Sequence, residues 1–535
     1  MHAARPSIHL SIVQPSGYVH SMALLDAALY FRHQFEQLGA SVTIAKNRLR
    51  ADAPNLIFGG HLGFDASLTR SFCCLFVNLE QLGQGGSRMP PAYLELLRSA
   101  HVIDYDQANL ASYARQEADV PLVSFGYAPY LAGAGAPLPL DQRPFDLLFF
   151  GSMNPRRKQI IDRIEQTGRT AVIFDAPVYG PERDVFIRQS RAVLNCHHYD
   201  SAVFEQVRAF QVLSLGTPLV SERTGRTRPG GAFEHSVNWF DDASLESFFR
   251  DVYPSAGFAQ QAAAQLQAFR HVDPREQYAR VLDFALAAQA AAHSIQPSPP
   301  NPQRLLHIGS GKDYRPGWLN VDIQAGAQPD ILVDLSGRHS WPASFASPFW
   351  GTVELRAEGT DLIYANNVLE HVGDLPALMR NCLDLLRVGG LMVIEVPYEK
   401  SRGAWQDPTH VRAMNEHSWL YYTDWFWYLG WFEHRFRIKE SKWLDERLQA
   451  CGQATAAFMA VTLEKVPTTV AERMTARTVR PDFAGLIEPM AYAPAATPAV
   501  ESPGRAASPM QPRETALRLA QPQDAAPLAT TPGIG

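Results

Sequence analysis

The sequence predicts an α/β protein: three consecutive strand-and-helix units, then a tail with no core of its own. Three observations carry this. From Ile8 to about Ala292, short apolar runs alternate with amphipathic stretches, the pattern of mostly parallel sheets. The run Pro297-Ser-Pro-Pro-Asn-Pro302 interrupts that pattern as a stiff, extended linker. Beyond it Leu305, Leu306 and Ile308 form a short buried strand that breaks at Gly309-Ser310-Gly311, where the backbone must pass close to something.

Composition sets the outer bounds. At 535 residues the chain is too long for one core. Lys and Arg number 48 against 54 Asp and Glu, a net charge of −6 with no strong basic block, so no nucleic-acid partner is expected. Cys73, Cys74, Cys196, Cys382 and Cys451 are few, odd in number and without paired metal spacing, and read as reduced thiols. The sequence has no run of about 18 apolar residues and no leader-like start, so the expectation is a cytoplasmic chain with at most peripheral membrane contact.

In the first unit, residues 1–135, strands are expected at Ile8–Val13, Ser41–Ala45, Asn55–Phe58, Cys73–Leu79, Val102–Tyr105 and Leu122–Phe125. Leu24, Leu25, Ala28 and Leu29 recur at three and four within a helix over 22–38, which Gly39 ends. Leu131–Leu140 reads as a hinge. The second unit, residues 141–296, opens with a strand over Asp146–Phe150 running into Gly151-Ser152. Asn154 caps the next helix and Pro155 takes its first position. Arg156, Arg157 and Lys158 fill that first turn, where cations oppose the helix dipole, so the run is either a phosphate site or a solvated face. Strands at Thr170–Phe174, Ala192–Asn195 and Leu219–Ser221, a helix over 204–215 closed by Gly216, and helices over 256–292 complete it.

The third unit is expected over 303–466. Its second strand, Trp318–Asp322, ends in a carboxylate able to accept two hydrogen bonds from a ribose diol. Asp322 follows Gly311 by eleven residues, and Pro316-Gly317 exclude a helix between them. Strands follow at Asp330–Asp334, Asp361–Ala365 and, after Gly389-Gly390, Leu391–Val396, with a helix over 375–386 and Glu370-His371 at a helix start. The Ala- and Pro-rich stretch 488–535 reads as disordered.

This third stretch resembles the class I S-adenosylmethionine-dependent methyltransferases, above all the small ones of bacterial surface-glycan gene clusters. The strand-Gly-x-Gly opening, Pro-Gly-Trp-Leu-Asn-Val-Asp over 316–322 and Asn-Val-Leu-Glu-His over 367–371 carry the resemblance. It implies S-adenosylmethionine held by Gly309, Ser310, Gly311, Asp322, Asn366 and Asn367. Asp334 either contacts the adenine amine or caps the next turn. The string Asp-Pro-Thr-His-x-Arg over 407–412 also recurs in these proteins, in a loop at the carboxyl ends of the strands, where ligands bind. There His410 is a candidate base oriented by Asp407, and Arg412 a candidate anchor for an anionic substrate; alternatively His410 and Asp407 stitch a lid together. His371 reads as structural. No metal site is expected: His197 and His198 are neighbours on a strand and point apart.

The segments FFGSMNPRRK, VLNCHHYD and FEQVRAFQVLSLGTPLVSE resemble the C-terminal half of B-type glycosyltransferases, well over 145–225 and in outline over 7–130. The implied fold is two Rossmann-like domains ahead of the Rossmann-like methyltransferase. The implied donor is a sugar nucleotide, its pyrophosphate held by Gly151, Ser152, Arg156, Arg157 and Lys158, with Arg208 and Gln211 nearby. Many retaining members carry two glutamates where this chain has Val203 and Gln211. Glu205 is then the candidate catalytic carboxylate, and stereochemistry stays open. The expected function is sugar transfer and methylation on one glycan, during surface-polysaccharide or lipid-linked glycan synthesis. Two alternatives stay open: an N-terminal half that only binds the glycan, and a nicotinamide-dependent oxidoreductase. The short Gly-to-Asp spacing speaks against the second.

Overall fold

The structure is a computed structural model, and it describes residues 5–132, 138–174, 176–295 and 302–488. The first sheet comprises β1 (Ser7–Ile12), β2 (Ser41–Lys46), β3 (Asn55–Phe58), β4 (Cys74–Asn78) and β5 (His101–Asp104). All five are parallel, in the order β2-β1-β3-β4-β5. Helix α1 (Met22–Gln37) packs Ala27, Ala28, Phe31 and Phe35 into the core beside it.

The second sheet comprises β6 (Phe145–Phe149), β7 (Ala171–Ile173), β8 (Ser190–Asn195), β9 (Leu219–Glu222) and β10 (Asn238–Phe240), also all parallel, in the order β10-β9-β8-β6-β7. Parallel neighbours need crossovers, and helices supply them: α2 (Pro91–Ser99) in the first unit, α3 (Pro155–Gln166) and α4 (Gly180–Gln189) in the second. Helix α5 (Gln206–Ser214) joins β8 to β9.

The third unit begins with β11 (Leu305–Ile308), β12 (Leu319–Asp322) and β13 (Ile331–Leu332), followed by a hairpin of β14 (Ala343–Ser347) and β15 (Gly351–Leu355). Then come β16 (Thr360–Asn366), β17 (Leu386–Pro397), β18 (His434–Leu444), β19 (Ala450–Cys451) and β20 (Phe458–Pro467). They form one sheet in the order β13-β12-β11-β16-β17-β20-β18-β19. The first five are parallel, and β20 runs antiparallel between β17 and β18. The chain leaves β11 toward β12 and later returns to β16 on its other side. The crevice at the carboxyl ends of β11 and β16 is therefore the topological switch point, the favoured ligand site of an open α/β sheet.

Several expectations are corrected. Leu122–Phe125 is not a strand, because side chains take its donors: Ser124 N–H goes to Gln277 Oε1 at 2.6 Å and Phe125 N–H to Gln206 Oε1 at 3.3 Å. Only Leu122 keeps a bridge, to Asp104. Gly389 and Gly390 do not precede β17 but lie inside it, at the register shift opposite Asp361. Leu369–His371 is a single 3-10 turn, and the helix starts at Leu375, where the Asp374 side chain accepts from Ala377 N–H. The expected linker over 297–301, part of the hinge, and the tail from 489 lie outside the described residues.

The first unit packs directly on the third. One apolar cluster runs from Ile57, Phe72 and Phe76 to Phe349 and Trp350, with the Phe72 and Trp350 rings 5.3 Å apart. Ala51 N–H donates to Phe349 O at 2.8 Å. Arg48, 8% exposed, donates to Gln328 O at 2.8 Å and lies 4.2 Å over the Tyr314 ring.

Candidate functional sites

The glycine loop after β11 is shaped by its neighbours. Gly309 has φ +61°, and a Cβ there would stand 2.3 Å from Val368 Cγ2. Only glycine meets both demands. Gly311, at φ +46°, donates its N–H to Asp322 Oδ2 at 2.7 Å, and Gln324 N–H donates to Asp322 Oδ1 at 2.8 Å. Asp322 thus braces the loop with both oxygens, each keeping a further lone pair for a ligand. Ser310 is 2% exposed, and its hydroxyl has no partner among the described residues. Beneath the loop, the Tyr314 hydroxyl donates to Asp330 Oδ1 at 2.8 Å, and Asn320 N–H to Asp330 Oδ2 at 2.8 Å. Burial pushes the Asp330 carboxyl up despite these bonds.

Of the two readings of Asp334, the structure displays the turn: its Oδ1 accepts from Ser336 N–H at 2.8 Å and Ser336 Oγ–H at 2.6 Å, on an exposed side chain. Asn366 closes β16, and Asn367 turns left-handed at φ +51° with its N–H on Glu395 O at 2.9 Å. Gly309, Ser310, Gly311 and Asp322 therefore meet at the carboxyl ends of β11 and β12, and the two asparagines at that of β16.

The loop over 405–412 is strapped onto the 3-10 turn by Val411 N–H donating to Glu370 O at 2.9 Å. This brings Glu370, His371 and His410 together, with one ligand-type atom of each within 4.8 Å of the others. The His371 and His410 rings meet edge to face at 4.6 Å. Asp407 does not orient His410 by a hydrogen bond: Oδ2 lies 3.9 Å from Nε2. The Ala404 carbonyl orients it instead, accepting from Nδ1 at 3.0 Å. Asp407 Oδ1 accepts from Thr409 N–H at 2.8 Å and its hydroxyl at 2.6 Å, and these bonds hold the carboxyl below the usual range. Burial pushes the Glu370 carboxyl up. Arg412 donates to Gly373 O at 2.8 Å, tying the loop down. Glu370 and His371, read from sequence as parts of a helix start, are cluster members; the pairing with His410, 39 positions beyond His371, had no sequence signal.

The second site is a cleft of ≈ 660 Å³ between the first two sheets, lined among others by Glu80, Gly151, Arg157, Glu205, Arg208 and Gln211. Asn154 caps α3 by accepting from Arg157 N–H at 2.8 Å, with Pro155 at the first position, as its sequence implies. The three cations of that turn then part. Arg157, 2% exposed, donates to Ser152 O and Cys196 O, both at 2.9 Å, and to Glu205 Oε1 at 2.7 Å. Arg156 turns away to Glu222 and to His197 O, on the wall of another cavity of ≈ 1110 Å³. Lys158 is exposed and pairs with Asp162 one turn along α3, at 2.8 Å. Both are corrections to a shared phosphate site: successive helix positions point about 100° apart, so one first turn cannot aim three side chains into one cleft.

Arg208 joins Arg157 from α5, pairing with Glu205 Oε2 at 2.7 Å and covering the Phe150 ring at 5.3 Å. Gly151 is required here, because a Cβ would stand 2.8 Å from the Arg208 guanidinium at a backbone φ of +126°. Burial pushes Glu205 up, but Arg208 and Arg157 together outweigh it and hold the carboxyl below its usual range. Gln211 is 2% exposed, with its amide nitrogen unpartnered among the described residues. Arg183, not foreseen from the sequence, lines the same cleft and pairs with Asp26 at 2.7 Å. Glu80 faces it too, its carboxyl pushed up by burial.

The α/β sheets are Rossmann-like, with the glycine loop of the third at its switch point and the acid closing β12 beside it. Residues 268–435 match the family model described as "Methyltransferase domain". Over 170 residues the chain is 25% identical to uncharacterized protein L140 of Acanthamoeba polyphaga mimivirus, a match covering 29% of this chain and 50% of that protein. The chain thus spans half the length of this relative. A glycosyltransferase involved in avilamycin A biosynthesis is similar at 13% identity and TM-score 0.37, covering 54% of this chain and 98% of its own. A methyltransferase from Archaeoglobus fulgidus, described as SAM dependent, is similar at 15% identity and TM-score 0.21, covering 33% of this chain and 91% of its own. Among the described residues no helix is long and apolar enough to cross a membrane.

Proposed function

We propose that this protein transfers the methyl group of S-adenosylmethionine to a hydroxyl oxygen of a glycan, and that its N-terminal half is a glycosyltransferase acting on the same glycan with a sugar-nucleotide donor. The setting is cytoplasmic synthesis of a surface polysaccharide or a lipid-linked glycan. The observation that carries the reading is the shared end of the third sheet. The Gly309–Gly311 loop with Asp322 lies on one side of the switch point, and the Glu370, His371 and His410 cluster follows β16 on the other. Methyl transfer to oxygen needs a cofactor site and a proton-accepting site side by side, because the oxygen must approach the sulfonium methyl in line while losing its proton. His410 suits the acceptor role, since its Nδ1 is committed to Ala404 O and leaves Nε2 with a lone pair.

Asp322, Gly309, Ser310, Gly311, Asn366 and Asn367 hold the cofactor in this reading, and Asp334 caps a turn beside it. In the cleft, Arg157 and Arg208 present two guanidiniums matched to a pyrophosphate. A second reading, a glycan-binding module without sugar transfer, is favoured by Glu205: that carboxylate is already occupied by both arginines. Titration with UDP and GDP separates the two, since binding of neither supports the module. Titration with S-adenosylmethionine and with NAD tests the cofactor, and NAD binding alone would restore the oxidoreductase alternative. For methyl transfer itself, His410→Gln should retain cofactor affinity while lowering the single-turnover rate about 10²–10⁴-fold. A near-normal rate removes His410 from proton transfer.

A further inference from the structure

We propose that Glu370, His371 and His410 form a binding site for a divalent transition-metal cation. Its role rests on the methyl-transfer reading above; its geometry does not. One ligand-type atom of each side chain lies within 4.8 Å of the others. Ligands about 2.0–2.2 Å from one ion stand at most about 4.4 Å apart, so the three atoms close on a cation after a small shift of the side chains.

The hydrogen bonds around the cluster leave it rich in acceptors and without donors. Glu370 is 1% exposed, and neither of its carboxylate oxygens has a partner among the described residues. A buried carboxylate in that state calls for a cation or a proton. The two imidazoles add to the demand. The Thr409 hydroxyl gives its hydrogen to Asp407 Oδ1 at 2.6 Å, so at 2.9 Å it accepts from His371 Nδ1–H. The Ala404 carbonyl can only accept, so His410 Nδ1 is also an N–H, at 3.0 Å. Both rings are thereby fixed with Nδ1 protonated and an Nε2 lone pair to offer. A metal-binding histidine is held in this way, its far nitrogen donating to a carbonyl or to a carboxylate relay. The buried His9 differs, since both of its nitrogens are engaged, with Thr43 and with Arg48 O. Asp407 Oδ2, 3.9 Å from His410 Nε2, is in reach as a fourth ligand.

Two imidazoles and a carboxylate suit Zn²⁺, Mn²⁺ or a neighbouring first-row ion and leave coordination positions open. A hydroxyl of the acceptor takes one of them. Coordination lowers the pKa of the hydroxyl, and its proton leaves to solvent. The alkoxide oxygen then bonds to the methyl carbon as the carbon–sulfur bond breaks. The electron pair of that bond stays on sulfur, giving S-adenosylhomocysteine and the methyl ether. With the cation bound, the Nε2 lone pair of His410 is spent on the metal, so in this arrangement the cation's acidity replaces the proton-accepting role given to His410 above.

The test uses the full chain, freed of metal by a chelator and titrated calorimetrically with Zn²⁺ and with Mn²⁺. One cation per chain is expected for at least one of the two. Affinity should fall about 100-fold or more in Glu370→Gln and in His371→Ala, and about 10–100-fold in Thr409→Val, which cuts the relay to Asp407. His371 is exposed, so its variant probes the site without opening the core. A wild type that binds neither cation, or variants that bind as the wild type does, would overturn the proposal. S-adenosylmethionine is titrated into the same samples. Its binding without cation binding removes the cation site and leaves the methyl-transfer reading; cation binding without it keeps the site and removes that reading.

Discussion

Gly309→Ala tests how tightly the cofactor loop is specified. The substitution meets two separate obstacles. At φ +61° a residue with a Cβ sits in the left-handed region, which costs about 1–2 kcal/mol. The new methyl also stands 2.3 Å from Val368 Cγ2, inside van der Waals contact, and forcing a packed side chain aside costs about 1–3 kcal/mol. The sum is a loss of about 2–5 kcal/mol, or a displaced loop that avoids it. Val368 belongs to the segment leading to Glu370, so displacement would disturb the cofactor and acceptor sides together. Urea unfolding of wild type, Gly309→Ala, Val368→Ala and the double variant forms a cycle. The interaction term should return about 1–3 kcal/mol, the packing share, while the backbone share remains. Calorimetry should register weaker S-adenosylmethionine binding in Gly309→Ala and partial recovery in the double variant. Wild-type stability and affinity in Gly309→Ala, or an interaction term near zero, would refute the account of the loop.

Asp322→Ala should weaken S-adenosylmethionine binding about tenfold to a hundredfold, through about 1.5–3 kcal/mol of lost charge-assisted hydrogen bonding; unchanged calorimetric affinity would remove Asp322 from the site. In the N-terminal cleft, Arg208→Ala should weaken UDP or GDP binding while Lys158→Ala, on its exposed pair with Asp162, leaves it unchanged, and equal losses in both would return Lys158 to the site. Acid should act through Glu205: its folded pKa is depressed, so its contribution is present above the ordinary carboxylate pKa of about 4.3 and lost as pH falls through the lower folded value. Melts of wild type and Glu205→Gln between pH 7 and 3 should therefore converge toward the acid end, and a constant gap would contradict the ion-pair assignment.

Local signals were legible wherever the cause lies within a few residues. Asn154 and Pro155 start α3 because a cap and a fixed φ act on the next turn. Leu305–Ile308 followed by two glycines marks a strand and a strained loop for the same kind of reason, and Pro316-Gly317 exclude a helix before β12. Leu122–Phe125 looked like a strand by composition and was lost to tertiary competition, its donors drawn off by Gln206 and Gln277, distant in sequence. The direction of side chains was likewise beyond reach. Arg156, Arg157 and Lys158 are adjacent in the chain, but Glu222, Glu205 and Asp162 divide them among three surroundings. The packing of Arg48 on Tyr314 joins two units that the sequence presents as separate. Sequence alone thus determined most of the parallel strands and the glycine loop. The tertiary structure decided which side chains share a site, because Glu370, His371 and His410 meet only once β16 and the loop after β17 lie side by side. A dihedral preference acts on its own residue and the next few, whereas convergence of side chains depends on contacts closed across tens of residues.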